Sequence, residues 1–83
     1  MDYELSAHAR DVIEERQIQA AWIERALATP ARIDPRENDP TAESRFIRIP
    51  EFGDRVLRVI VNKQVAPCRV VSVYFDRTMK GKL

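Results

Sequence analysis

The sequence predicts an α+β fold: an N-terminal αα-hairpin packed on one face of a three- to four-stranded antiparallel sheet. Three observations predict it. Apolar residues recur at spacings of three and four through residues 5–28, the repeat of helices. From residue 45 onward the period becomes two, in runs rich in Val, Ile, Phe and Tyr. Between these regimes lies a polar stretch with two prolines and neither repeat. The whole chain, residues 1–83, is expected to form a single domain.

Ser6 is placed to cap a first helix running to about Arg16, with Leu5, Ala9, Val12, Ile13 and Arg16 on one face. "RQIQ" is a turn into a second helix, about Gln19 to Ala28, whose stripe is Trp22, Ile23, Ala26 and Leu27. Ile18 and Ile23 have the spacing of a hydrophobic staple. Thr29-Pro30 ends the helix, because proline disfavours helical geometry in the residue before it. "ARIDP" suits a short strand, and a loop is expected over about 34–44, where no apolar residue exceeds alanine. Strands follow at Arg45–Ile49, Arg55–Asn62 and Cys68–Asp76, joined by the turns "PEFGD" and "KQVAP". The basic tail 77–83 is expected to fray.

Composition excludes several classes. Apolar residues make up 45% and charged residues 33%, which argues against wholesale disorder. The single Cys68 excludes an internal disulfide framework and a cysteine zinc cluster. No apolar run is long enough to span a membrane, and "MDYELSAHAR" lacks a signal peptide's basic-then-apolar layout, so a cytoplasmic protein without membrane contact is expected. So few residues bury a thin core, which favours oligomerisation or a stabilising partner.

Charge is asymmetric. Residues 1–44 hold five arginines against ten carboxylates (net −5), whereas residues 45–83 hold nine Lys and Arg against three (net +6). Eleven of the fourteen basic residues are Arg, the side chain suited to bidentate phosphate or carboxylate contacts. An anionic partner for the C-terminal half is one reading, and mutual neutralisation of the two halves is the other.

Strand alternation divides the sheet into two faces. Ile47 and Ile49, Leu57, Val59 and Val61, and Val71, Val73 and Phe75 form apolar half-strands expected to lie under the helices. The opposite set mixes Phe46, Val56, Ile60 and Val70 with Arg48, Arg58, Cys68, Ser72, Tyr74 and Asp76. Such a face suits a solvated surface, a ligand or RNA surface, or a protein interface. On the first helix, Arg16 falls within the apolar stripe, so it must snorkel past the helix end or meet a carboxylate. His8, the only histidine, flanks the stripe, and histidine is the side chain that most readily exchanges a proton at neutral pH. Metal-ligand spacing, a phosphate-binding glycine loop and a nucleophile–histidine motif are all missing, so neither a metal nor a cofactor is expected.

"SAHARDVIEERQI", a second short helix, "RFIRI" and "RVVSVYFDR" together resemble the prokaryotic domain of unknown function 4258, over nearly the whole chain. That family is similar in layout to RelE/ParE-like toxins: a small sheet with two N-terminal helices, often partnered by an antitoxin. The resemblance marks His8, Arg10, Arg16, Arg45, Tyr74 and Arg77 as the family's polar positions. Two departures concern folding. Gln17 stands where a glycine usually ends the first helix, and Gln19 replaces the usual capping serine.

The toxin resemblance implies metal-independent RNA cleavage by the substrate's own 2′-hydroxyl, with partners that include an antitoxin-like protein, a second copy, or RNA. His8 and Tyr74 then carry acid–base roles, and Arg45, Arg48, Arg58 and Arg77 hold phosphate. Arg10 and Arg16 support them structurally. The competing reading is a non-enzymatic protein-interaction or dimerisation module. Small-molecule binding between the first helix and the sheet is a third.

Overall fold

The computed structural model describes residues 2–83. Its elements are β1 (Tyr3–Leu5), α1 (Ala7–Arg16), α2 (Ala20–Ala28), β2 (Arg32–Arg36), β3 (Asp39–Ile49), β4 (Arg55–Asn62) and β5 (Cys68–Phe75). Short 3₁₀ turns occupy Pro50–Phe52 and Arg77–Met79. The fold is α+β, with a five-stranded mixed sheet in the order β1-β5-β4-β3-β2. β1 pairs parallel with β5 and every other pairing is antiparallel. The expected three- to four-stranded antiparallel sheet is therefore corrected in strand number and in direction, and the helical hairpin is preceded by a strand.

Each helix forms where its caps and stripe direct it. The Ser6 hydroxyl accepts from the Ala9 N–H at 3.0 Å, and the same hydroxyl donates to the Val71 carbonyl at 3.0 Å. One side chain thus starts α1 and ties it to β5. Gln17 ends α1 in the left-handed region at φ 54°, a conformation that suits glycine better. Gln19 precedes α2 without a side-chain cap bond. There, burial of Ile18 and Ile23 together with Trp22, Ala26 and Leu27 holds the helix instead.

α1 packs on β5, and α2 on β3 and β4. Beneath them Ile49, Leu57, Val59, Val61, Val70 and Val73 form the floor of the core. Burying each such side chain contributes roughly 1.5–3 kcal/mol against the entropy of ordering the chain.

Three expectations change on the sheet. The 34–44 loop is instead a hairpin, β2 to β3, turning at Glu37 and Asn38 with a register shift between Pro35 and Arg36. Pro35 is tolerated because β2 is an edge strand, Pro40 because it precedes Ala42, where β3 begins to pair with β4, and Asp39 accepts from the Thr41 N–H at 3.0 Å to shape the turn. β5 contains a bulge: Ile60 faces Ser72 but Val61 faces Val70, leaving Val71 unpaired. The extra residue shifts parity, so Val70 enters the core and Val71 is exposed, the reverse of the expected alternation. Third, Arg77–Met79 of the tail forms a 3₁₀ turn, with Asp76 capping it by accepting from the Thr78 N–H at 3.0 Å.

The face away from the helices is not simply solvated. Ser44, Phe46 and Val56 are buried there. The hairpin tip accounts for part of that cover: Asp34, Pro35, Arg36, Glu37 and Asn38 border a cleft of about 320 Å³ together with Arg58.

Candidate functional site: a groove at the open edge of β5

β1 covers only Cys68, Arg69 and Val70 of β5, after which the chain leaves the sheet at Ser6 and enters α1. A groove of about 500 Å³ opens there between α1 and the rest of β5. His8 and Arg16 line it from α1, Ser72 and Tyr74 from β5, Arg55 from the start of β4 and Arg77 from the turn after β5. Tyr74, far in sequence from His8 and Arg16 on α1, thus shares one cleft with them. Arg16 resolves its place in an apolar stripe by snorkelling: it is exposed, at the helix end, inside the groove.

Aromatic rings form the floor. Phe52 and Phe75 both line the groove, their centroids 5.2 Å apart, and Trp22 lies 5.2 Å from Phe52 beneath. The Arg55 guanidinium sits 4.8 Å above the Phe52 ring, a cation–π contact that orients it. The turn carrying Phe52 is fastened to α2 by a bidentate pair, Arg25 Nη1 and Nη2 donating to Glu51 Oε1 and Oε2 at 3.1 and 2.9 Å. Those bonds hold the Glu51 carboxyl down at about 2. Phe52 and Tyr74 nevertheless remain 40% and 39% exposed, leaving aromatic surface open in the groove.

The arginines fall into two groups. Arg16, Arg55 and Arg77 make no ion pair among the described residues, so their charge faces the groove, with Glu15 the carboxylate on its lining. Arg45, Arg48 and Arg58 are committed elsewhere. Arg45 donates to Glu43 at 2.8 Å and to the Leu27 carbonyl at 3.2 Å, tying β3 to the end of α2. Arg48 lies 3.9 Å from Asp54, in the turn between β3 and β4. Arg58 donates to Ser44 Oγ at 3.0 Å and Asp76 Oδ2 at 3.1 Å while stacking on Phe46 and Tyr74 at 5.2 and 5.8 Å. None of these three lines the groove, and Arg10 is exposed outside it.

Two buried carboxylates show what the committed cations do. Burial pushes the Glu43 carboxyl up, but hydrogen bonds from Arg45 and Lys63 outweigh it and leave the group below its ordinary value. At Asp76, hydrogen bonds from Thr78 and then Arg58 outweigh burial in the same direction.

Sequence reasoning missed Arg55. The signal was present: Arg55 heads an otherwise apolar half-strand with Leu57, Val59 and Val61, the counterpart of Arg16 in the α1 stripe. Among the described residues no group of three or more His, Cys, Asp or Glu side chains could hold a metal ion. No helix among them is long and apolar enough to cross a membrane.

The architecture and site define a small α+β domain whose chemistry-bearing side chains converge on an open, arginine-lined groove rather than a closed pocket. The chain belongs to the family described as domain of unknown function DUF4258, whose model matches residues 5–75. That match spans both helices and ends at Phe75, the last residue of β5. No curated protein and no solved structure matches the chain.

Proposed function

We propose that this domain binds single-stranded RNA in the groove and cleaves it by metal-independent transesterification, as its resemblance in layout to RelE/ParE-like toxins implies. The observation that carries the reading is the convergence of His8, Tyr74 and three unpaired arginines on one aromatic-floored groove. Cations that track a phosphate backbone, interleaved with rings on which bases stack, are what single-strand binding requires.

The chemistry follows from the side chains. The substrate's 2′-hydroxyl attacks the adjacent phosphorus, forming a 2′,3′-cyclic phosphate as the bond to the 5′ oxygen breaks. His8 takes the hydroxyl proton, and Tyr74 supplies a proton to the departing 5′ oxygen. Arg16, Arg55 and Arg77 stabilise the charge that gathers on the phosphoryl oxygens. Arg58, stacked on Tyr74 from the far face, positions the phenol rather than touching substrate. Arg45 and Arg48, which lie outside the groove, take no part.

The test is cleavage of single-stranded RNA, free and on translating ribosomes, by the full chain beside His8→Ala and Tyr74→Phe. Both substitutions are at exposed positions, so folding is preserved and circular dichroism checks it. Wild-type cleavage falling at least 100-fold in both variants supports the reading. Absence of cleavage by folded wild-type protein at micromolar concentration overturns it.

A second reading, a non-enzymatic interaction or dimerisation module, draws on one observation: β5 beyond Val70 is an open strand edge, with Val71 exposed beside it. An extended antitoxin-like segment or a second copy could add there as a further strand. Solution mass separates the readings, since a stable dimer that buries Tyr74 leaves no room for RNA.

A further inference from the structure

Beyond the groove lies a second hollow of about 290 Å³, lined by Arg55, Val56, Phe75, Asp76, Arg77 and Lys80. It shares Arg55, Phe75 and Arg77 with the groove, so the two cavities adjoin across a ridge of two guanidinium groups. Lys80 extends the cationic line past that ridge, and like the two arginines it makes no ion pair among the described residues. The carboxylate in the hollow does not cancel this charge, because Asp76 is already engaged by Thr78 and Arg58. Lys80 also follows directly on a turn that Asp76 caps, which anchors its backbone close to β4.

We infer that this hollow is a second phosphate subsite, so that the ligand of the groove is a strand with at least two consecutive phosphates rather than a mononucleotide. The inference rests on the RNA reading of the groove and adds a path to it. The strand enters beside His8 and Arg16, crosses Arg55 and Arg77, and leaves over Lys80. Each phosphate met by a cation releases condensed counterions, so affinity and salt dependence both grow with the number of phosphates engaged.

The test uses two non-cleavable 2′-O-methyl uridylate probes, one with a single phosphodiester and one with three, measured by calorimetry at two salt concentrations. Proteins compared are the full-length wild type, Lys80→Ala, Lys80→Arg and Arg16→Ala. The longer probe binds the wild type at least about tenfold tighter. Lys80→Ala weakens the longer probe about fivefold, leaves the shorter within twofold, and lowers the salt slope for the longer probe by about 0.7. Lys80→Arg restores both values.

Equal affinity for the two probes, or equal loss of both in Lys80→Ala, overturns the second subsite. Loss of both probes in Arg16→Ala without any effect of Lys80→Ala also overturns it, while leaving the groove reading intact. Failure of the wild type to bind either probe removes the RNA reading itself, and the subsite with it.

Discussion

Replacing Asp76 with asparagine tests how the sheet's far face supports the groove. The Asp76 side chain is 10% exposed and meets an Arg58 guanidinium that is itself only 26% exposed. Its carboxylate accepts from the Thr78 N–H at 3.0 Å, from the Thr78 hydroxyl, and from Arg58 Nη1 at 3.1 Å. Asparagine keeps an acceptor for Thr78 but turns an amide donor toward the guanidinium. One charge-assisted hydrogen bond is lost, and a half-buried cation between two rings loses its counterion. The first loss is about 1.5–3 kcal/mol. Arg58 retains some solvent, so the total stays below the roughly 3–5 kcal/mol of a fully buried broken pair. A destabilisation of about 2–3 kcal/mol results, which for a chain of this size lowers Tm on the order of 10–20 °C.

The pH dependence fixes the cause. The folded Asp76 carboxyl is held below its ordinary value of 3.8, so its stabilisation is present above that value and is lost as pH falls through the lower folded value. The gap between wild type and Asp76→Asn in urea melts followed by circular dichroism therefore closes in acid. Stabilities within about 0.5 kcal/mol at pH 7 would show that the Asp76–Arg58 pair does not stabilise the fold. So would a gap that persists undiminished in acid.

Three further outcomes follow from the helices and their fastening. Gln17→Gly relieves a left-handed residue at φ 54° and raises stability by about 0.5–1 kcal/mol, read as a higher Tm. Ser6→Ala removes both the α1 cap and the bond to Val71, and costs about 1 kcal/mol or somewhat more in denaturant melts; Ser6→Thr recovers most of it. Glu51, held down by Arg25, titrates in carbon-detected NMR with a midpoint near 2, and Arg25→Ala returns it toward 4.5. The bidentate clamp thus survives until the pH falls through that folded value.

Local signals in the chain carried much of the fold. Ser6 and the Ala9–Val12–Ile13 stripe mark α1, the Ile18–Ile23 staple marks α2, and alternation marks β4 at its observed ends. What was not legible depends on distant partners. β1 has three residues and no alternation of its own, and it is a strand because Tyr3, Glu4 and Leu5 meet Cys68, Arg69 and Val70. The β2–β3 hairpin hides behind two prolines and a run of charges: Pro35 fits because β2 is an edge strand, and Pro40 because it lies before the β3–β4 pairing begins at Ala42. The bulge at Val71 inverts the faces of the start of β5, and nothing in "CRVVSVYF" announces it.

The candidate site shows the same division. His8, Arg16, Tyr74 and Arg77 were singled out and do converge, because residue type and the family pattern pointed to them. The partners of Arg58 and Arg45 were not legible, because parity gives a face but not a partner. Only the fold reveals that Asp76 and Ser44 take one, and Glu43 and the Leu27 carbonyl the other. Arg55 and Lys80 emerge only from the fold, which brings the start of β4 and the turn after β5 to one hollow beside the groove.

RNA bound in the groove would perturb the amides around it, which an NMR titration reads residue by residue. Uniformly ¹⁵N-labelled protein is titrated with the non-cleavable three-phosphodiester uridylate at low salt. Shifts are expected at His8, Arg16, Arg55 and the 72–77 segment, with Glu43, Arg45 and Lys63 unmoved. Shifts centred instead on the β2–β3 hairpin, or none at millimolar probe, would contradict it.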